Sequence, residues 1–353
     1  MSVGKSIRYF FYLLLLCGFV PAAACRNLAD STTDQQTDAR PAPSNLSFVR
    51  AFSSADDVRK GLPPILDRSL DIIAGPKDQE PHVDGLQSPS AVATDSNNRV
   101  FVADRGAKAV HIFDFVHGKY SLLGRGNDRT VTPIALAVDG HDNLYVTDEL
   151  SRTILVYDSA GKFRRTLGKL SEDESYFESP AGIAIDKATG HIYVCDMHRH
   201  MIVVLDNRGR LVAKAGKRGG GDRPGDFKLP TQAVIHNGEL FVLDAGNNRV
   251  QVFDTALHFR RIINLPYADG RTGLAVDDQG NVYVSDPVVD RIEVFTREGR
   301  LLYTLDLASI KAANLAEPAG MWISAGSCLY VLDAQEHFVD LFQISRQDAQ
   351  RCE

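Results

Sequence analysis

Leu240-Phe241-Val242-Leu243-Asp244, the polar Ala245-Gly246-Asn247-Asn248, then Arg249-Val250-Gln251-Val252-Phe253-Asp254: two short apolar runs flank four turn-forming residues, and each run closes on an acid. Runs of five or six residues rich in Val, Phe and Leu are too short for helices and read as strands, with the Gly-Asn-Asn between them as a turn. The phrase recurs. Its first run reappears as Val100-Phe101-Val102-Ala103-Asp104, Leu144-Tyr145-Val146-Thr147-Asp148, Ile192-Tyr193-Val194-Cys195-Asp196, Val282-Tyr283-Val284-Ser285-Asp286 and Leu329-Tyr330-Val331-Leu332-Asp333. The aspartates stand 44, 48, 48, 42 and 47 residues apart. A period of this size marks a repeat architecture, so the 353 residues need not be split by length into two domains.

Each copy is preceded by another apolar strand, as in Ala135-Leu136-Ala137-Val138-Asp139 and Gly182-Ile183-Ala184-Ile185-Asp186, joined to it by a polar turn such as Gly140-His141-Asp142-Asn143 or Asp278-Gln279-Gly280-Asn281. These are hairpin turns by their chemistry. A third strand follows each repeated aspartate and a fourth follows another turn, as in Lys162-Phe163-Arg164-Arg165-Thr166-Leu167-Gly168. A four-stranded antiparallel unit of this length cannot cover both its apolar faces alone, so stacking around an axis is expected. The sequence predicts an all-β, six-bladed β-propeller over residues 46–353. The sixth unit lacks its own fourth strand, and Ser69-Leu70-Asp71-Ile72-Ile73-Ala74-Gly75 has the character of one. It is expected to complete the last blade beside Phe338 to Ile344, joining first residues to last and removing open edges.

These motifs resemble the NHL-repeat family, whose pattern runs Gly-Ile-Ala, Asp, a Gly-Asn turn, a Tyr-Val-Ala-Asp strand, then Asn-Arg-Ile and a strand ending in Phe-Asp. Residues 230–254 and 271–295 carry it best, and the resemblance spans residues 86–343. The family pattern implies a pairing of the repeated aspartate with an arginine five residues on, here Arg249 and Arg291; Ala109, Thr153, Met201 and Phe338 replace it elsewhere. NHL propellers commonly act as interaction scaffolds, so the resemblance implies binding.

The first residues are a separate object. Lys5 and Arg8 give a positive start, Tyr9 to Val20 a short apolar run and Pro21-Ala22-Ala23-Ala24 a small-residue stretch, together a signal peptide over residues 1–24. A twelve-residue helix rises about 18 Å against a hydrocarbon core of roughly 30 Å, which argues for cleavage over a spanning helix. Ala22-Ala23-Ala24-Cys25 resembles the lipobox of bacterial lipoproteins, with Ala22 where that pattern has Leu, so lipidation of Cys25 and plain secretion both stand. Residues 25–45 are polar and Pro-containing and read as a flexible tether. Export to the cell envelope or periplasm, or secretion, follows, with membrane contact only through a lipid anchor.

Composition is that of a globular protein, 44% hydrophobic and 24% charged. Without residues 1–25 the chain carries 37 basic and 45 acidic residues, a net −8, with no basic cluster, which argues against nucleic acid. A monomer is expected.

Candidate chemistry is thin. A residue repeated in every blade serves every blade, so the six aspartates are expected to hold turns by accepting backbone N–H bonds or pairing with arginine rather than to form a functional ring. Met197-His198-Arg199-His200 departs most from the pattern, and with Arg249 and Arg291 gives the candidate loop-face binding residues. His198 and His200 could supply part of a zinc site, which needs three or four ligands. Some propellers of related architecture, the peptidyl-hydroxyglycine amidating lyases, hold zinc near the axis, but no full ligand set aligns here, and no cofactor is predicted, zinc or calcium being the metals a site would take. The glycine-rich 216–225 stretch is not followed by a helix and reads as an interblade loop, not a phosphate cradle. No Gly-x-Ser-x-Gly or His-Glu-x-x-His motif occurs. Cys195 and Cys328 fall on opposite sides of the ring and cannot pair. Cys352 could reach Cys328, a bridge that would steady the last blade. The expectation is a non-catalytic exported scaffold for a protein or small ligand. A metal-dependent lyase or hydrolase using the central channel, and a structural subunit of an envelope complex, are the alternatives.

Overall fold

The apolar runs read above become strands buried along their whole length, because each lies inside a blade that is itself covered by two others. The computed structural model describes residues 46–59, 85–124, 131–171, 174–266, 273–306, 317–325, 327–344 and 352. The expected segments 1–24, 25–45 and 69–75 lie outside them.

After β1 (Leu46–Phe52) and a short helix α1 (Ala55–Arg59), twenty-three strands follow in sequence order. Blade one is β2 (Pro89–Thr94), β3 (Val100–Asp104), β4 (Ala109–Asp114) and β5 (Lys119–Leu123). Blade two is β6 (Pro133–Val138), β7 (Leu144–Asp148), β8 (Thr153–Tyr157) and β9 (Phe163–Leu167). Blade three is β10 (Pro180–Ile185), β11 (Ile192–Asp196), β12 (Met201–Leu205) and β13 (Leu211–Gly216). Blade four is β14 (Pro230–His236), β15 (Glu239–Asp244), β16 (Arg249–Asp254) and β17 (Phe259–Asn264). Blade five is β18 (Leu274–Val276), β19 (Val282–Asp286), β20 (Arg291–Phe295) and β21 (Leu301–Asp306). β22 (Pro318–Ile323), β23 (Cys328–Asp333) and β24 (Phe338–Ile344) make blade six. Each of the six sheets is four-stranded and antiparallel, and the sixth runs β22, β23, β24, β1.

The ring therefore closes as expected in kind but through a different segment. Leu46 pairs with Ile344 and Phe52 with Val339, so the edge assigned to residues 69–75 is occupied by residues 46–52. The reason is side-chain alternation: Leu46, Phe48, Arg50 and Phe52 turn inward while Val49 and Ala51 face solvent. Phe48 meets Phe342 edge-on at 5.7 Å, and Phe52 meets Phe113 and Phe115 of blade one at 5.0 and 4.9 Å. Four-residue spacing between the phenylalanines in Leu46-Ser47-Phe48-Val49-Arg50-Ala51-Phe52 was signal enough, and Ser69–Gly75 lacks any aromatic. Cys328 and Cys352 are disulfide-bonded, with Cα atoms 5.7 Å apart, and the thiol of Cys195 is fully buried. Burial, then the charges of Asp196 and Asp244, push that thiol well above its ordinary range.

Two of the seams between neighbouring blades are bolted near the axis by the residue before the repeated aspartate. Thr147 Oγ1 donates to the Ala181 carbonyl at 3.0 Å and Ser285 Oγ to the Ala319 carbonyl at 3.0 Å. Inner strands approach there as closely as backbone permits, since a Cβ at Gly182 would stand 2.5 Å from Gln232 Cα.

Candidate functional site

The repeated aspartates are all buried, and every one accepts at least one backbone amide. Asp104 accepts from the amides of Gln87, Ser88 and Ala107, Asp196 from Glu178 and Ser179, Asp244 from Lys228, and Asp333 from Gln335 and Glu336. Each thus ties the loop entering its blade, the turn after its own strand, or both. Burial works against ionisation of Asp104, yet bonds from His111 and the three amides outweigh it and hold the carboxyl below its ordinary range.

Arg249 is buried and donates to Asp244 Oδ2 at 2.7 Å and to the carbonyls of Asp222, Arg223 and Asp226. It fastens the glycine-rich stretch as an interblade loop, a structural duty that leaves it nothing to offer a ligand. Arg291 is exposed and forms no ion pair among the described residues, so the pairing expected with Asp286 is absent. Its register partner across the turn is Asp286, and its side chain lies in solvent. Arg199 donates to the Tyr176 carbonyl and lies 3.5 Å from Glu178. His200 Nδ1 accepts the Leu229 amide at 3.0 Å, and His198 is exposed. Among the described residues no three His, Cys, Asp or Glu side chains gather in a way that could hold a metal. The loop-face candidates therefore divide into packing pieces and isolated surface groups.

Reasoning from single repeats missed the position seven residues after the aspartate. It holds His111, Leu155, Val203, Gln251, Glu293 and Asp340 in blades one to six. His111 Nε2 lies 3.3 Å from Asp104 and bonds Tyr120 through Nδ1, while Gln251 Nε2 donates to Asp244. In blade six the same geometry sets acid beside acid: burial, then the charge of Asp333, raise Asp340 to about 7.

At the opposite end of the blades lies a cavity of about 390 Å³, where the inner strands finish and turn into their hairpins. Its wall is apolar, from Ala137, Val138, Ile183, Ala184, Ala233, Ile235, Val276 and Trp322. Its rim is polar and differs from blade to blade: Asp186, Lys187, His236, Asn237, Asp278 and Ser324. Trp322 donates its indole N–H to Thr94 Oγ1 at 2.9 Å, fixing the ring across the blade one to blade six seam. A second hollow of about 330 Å³ opens beside it between blades two and three, lined by Asp139, His141, Asn143, Tyr145, Arg165, Thr189 and Asn207, and it shares Ile185, Lys187 and Ala188 with the first. Few polar groups converging on an apolar concavity is the usual form of a small-molecule site.

Six sheets of this connectivity agree with the comparisons. A family model described as a 6-bladed beta-propeller matches residues 171–293. Protein brain tumor of Drosophila melanogaster is 25% identical over 137 residues, 38% of this chain and 13% of that protein. The peptidylglycine alpha-amidating monooxygenase of Rattus norvegicus is 32% identical over 88 residues, 24% of this chain and 9% of that protein. The chain is a six-bladed β-propeller. Its repeats are similar to those of the NHL type, and the matched segments span only about a tenth of the length of these curated relatives. Solved structures of the same fold include a protein of unknown function from Bacteroides thetaiotaomicron (TM-score 0.60, 14% identity, 77% of this chain and 73% of that one). A gluconolactonase from Xanthomonas campestris gives TM-score 0.56 at 15% identity over 74% of this chain and 87% of that one. The virginiamycin B lyase of Staphylococcus aureus gives 0.53 at 12% over 74% and 85%. At these identities the likeness concerns the fold alone.

Proposed function

We propose that this NHL-type propeller is a non-catalytic, exported binding or sensing scaffold that takes a small ligand at the hairpin-turn end of its central channel. The observation that carries the reading is the cavity itself: an apolar wall drawn from five blades under a polar rim in which no two turns are alike. Repeats that share a scaffold differ where they serve a partner. Export through residues 1–24 and attachment at Cys25 belong to the same proposal, and the Cys328–Cys352 disulfide supports an oxidising compartment.

The test is native mass spectrometry of the purified protein and of Ala233→Phe, which fills the cavity. Small molecules retained by the first and absent from the second support the reading; equal retention, or none by either, counts against it. A second reading, a metal-dependent lyase or hydrolase, is favoured by the lyase and gluconolactonase among its structural neighbours. Zinc or calcium remaining at one equivalent after dialysis would select it.

A further inference from the structure

Resting on that reading, the rim can be asked what kind of ligand it would orient. Its charges are unevenly placed. Asp278 stands on blade five, whereas Lys187 and Arg165 stand where blades two and three meet, across the ring from it. Asp186 is spent on its own turn, accepting the Ala188 amide at 3.0 Å and the Thr189 hydroxyl at 2.7 Å. Asp139 likewise accepts the amides of His141 and Asn143, the Asn143 side chain and the Tyr145 hydroxyl.

Lys187 is different. It is exposed, borders both hollows, and forms no hydrogen bond or ion pair among the described residues; its charge is felt by Asp142, whose carboxyl is lowered chiefly by Ser96. Arg165 is held in place by its bond to the Asn207 carbonyl at 2.8 Å and a bond to the Tyr145 hydroxyl, leaving further N–H groups of its fork for another acceptor. Of the charged residues lining the side hollow, Arg165 and Lys187 stand against Asp139, while Asp142, which feels the charge of Lys187, lies outside the lining. The apolar cavity begins on the far side of Lys187.

We infer that the composite site binds a small amphipathic carboxylate, its apolar body in the central cavity and its carboxylate between Lys187 and Arg165. A planar carboxylate matches the guanidinium fork of Arg165, with the ammonium of Lys187 lining the same hollow. Both cations are exposed, so they supply orientation and selectivity, while burial of the body supplies most of the affinity.

Trp322 lines the cavity and is the chain's one tryptophan, so its fluorescence reports occupancy. The experiment titrates the purified protein with straight-chain carboxylates from hexanoate to dodecanoate and with the matching alcohols. Each added methylene should tighten binding roughly fourfold until the cavity is full. Each carboxylate should bind about tenfold more tightly than its alcohol. Lys187→Ala with Arg165→Ala should abolish that preference and leave the alcohols unchanged. Alcohols binding as well as carboxylates, or a preference that survives the double substitution, would overturn the inference while leaving the cavity as a site. Absence of any chain-length dependence, with Ala233→Phe behaving as the unsubstituted protein, would remove the underlying reading and the inference together.

Discussion

Blades four and six solve the same local problem in opposite ways. In blade four the repeated aspartate is saturated with donors: Asp244 takes the Lys228 amide, the Asn247 and Gln251 amides and the Arg249 guanidinium, and Arg249 in turn gathers three loop carbonyls. In blade six Phe338 replaces the arginine and Asp340 replaces the glutamine, so the repeated Asp333 keeps its turn amides from Gln335 and Glu336 but meets a second carboxyl where Asp244 meets side-chain donors. That blade is held by strand β1 and by the Cys328–Cys352 bridge. A repeat can therefore lose its internal network where covalent and strand-exchange links take over.

The largest expected effect tests the first half of this contrast. Arg249→Ala leaves Asp244 buried beside an unfilled space and three loop carbonyls unpaired, and should cost about 3–5 kcal/mol in urea unfolding. A loss under about 1 kcal/mol would show that the blade four network is ornamental. Next comes the clamp of blade six. Cys352→Ser opens a loop of 24 residues' separation and should cost about 3.5 kcal/mol in the chain-entropy picture, seen as a lower denaturation midpoint that added reductant reproduces in the unsubstituted protein.

The third effect depends on pH. Burial and the charge of Asp333 raise folded-state Asp340 to about 7 from an ordinary 3.8, so the folded protein holds this proton more tightly than the unfolded chain does. The contribution is full below pH 3.8 and is lost as pH rises towards 7. Asp340→Asn should therefore gain stability over the unsubstituted protein as pH rises, by on the order of 3 kcal/mol at pH 8. Urea midpoints from pH 5 to 9 that run parallel for the two proteins would contradict an acid pair. The smallest effect is the control for the largest: Arg291→Ala, on an exposed arginine, should change stability by less than about 0.5 kcal/mol.

What could be read from sequence alone follows from the range of the interactions involved. The second strand of each blade depends on five or six adjacent residues, and all six were visible with their aspartates. The duty of those aspartates could be reasoned from repetition, because a role present in every copy is a role the copy itself needs. The closing strand was visible only as a need: a missing fourth strand, filled by Leu46–Phe52 and not by Ser69–Gly75, since two segments of similar character compete and packing against Phe113, Phe115 and Phe342 decides. The cavity was not visible. Its wall takes two or three strand residues from each of five blades about 45 residues apart, and Lys187 and Arg165 become neighbours only when blades two and three stand side by side. Turns such as Lys187-Ala188-Thr189-Gly190 carry the clue in their dissimilarity, whereas the sharpest departure along the chain is the His198 and His200 loop at the other end.

The direction in which β1 enters decides which end of the ring carries its first residue. Leu46 is opposite Ile344, and Cys328, which follows the last hairpin turn, is opposite Gln343, so the first residue of the ring lies at the rim where the cavity opens. The closing strand and the cavity mouth thus share one end of the blades, and the looped end, where Arg249 and the six acids sit, is the far one.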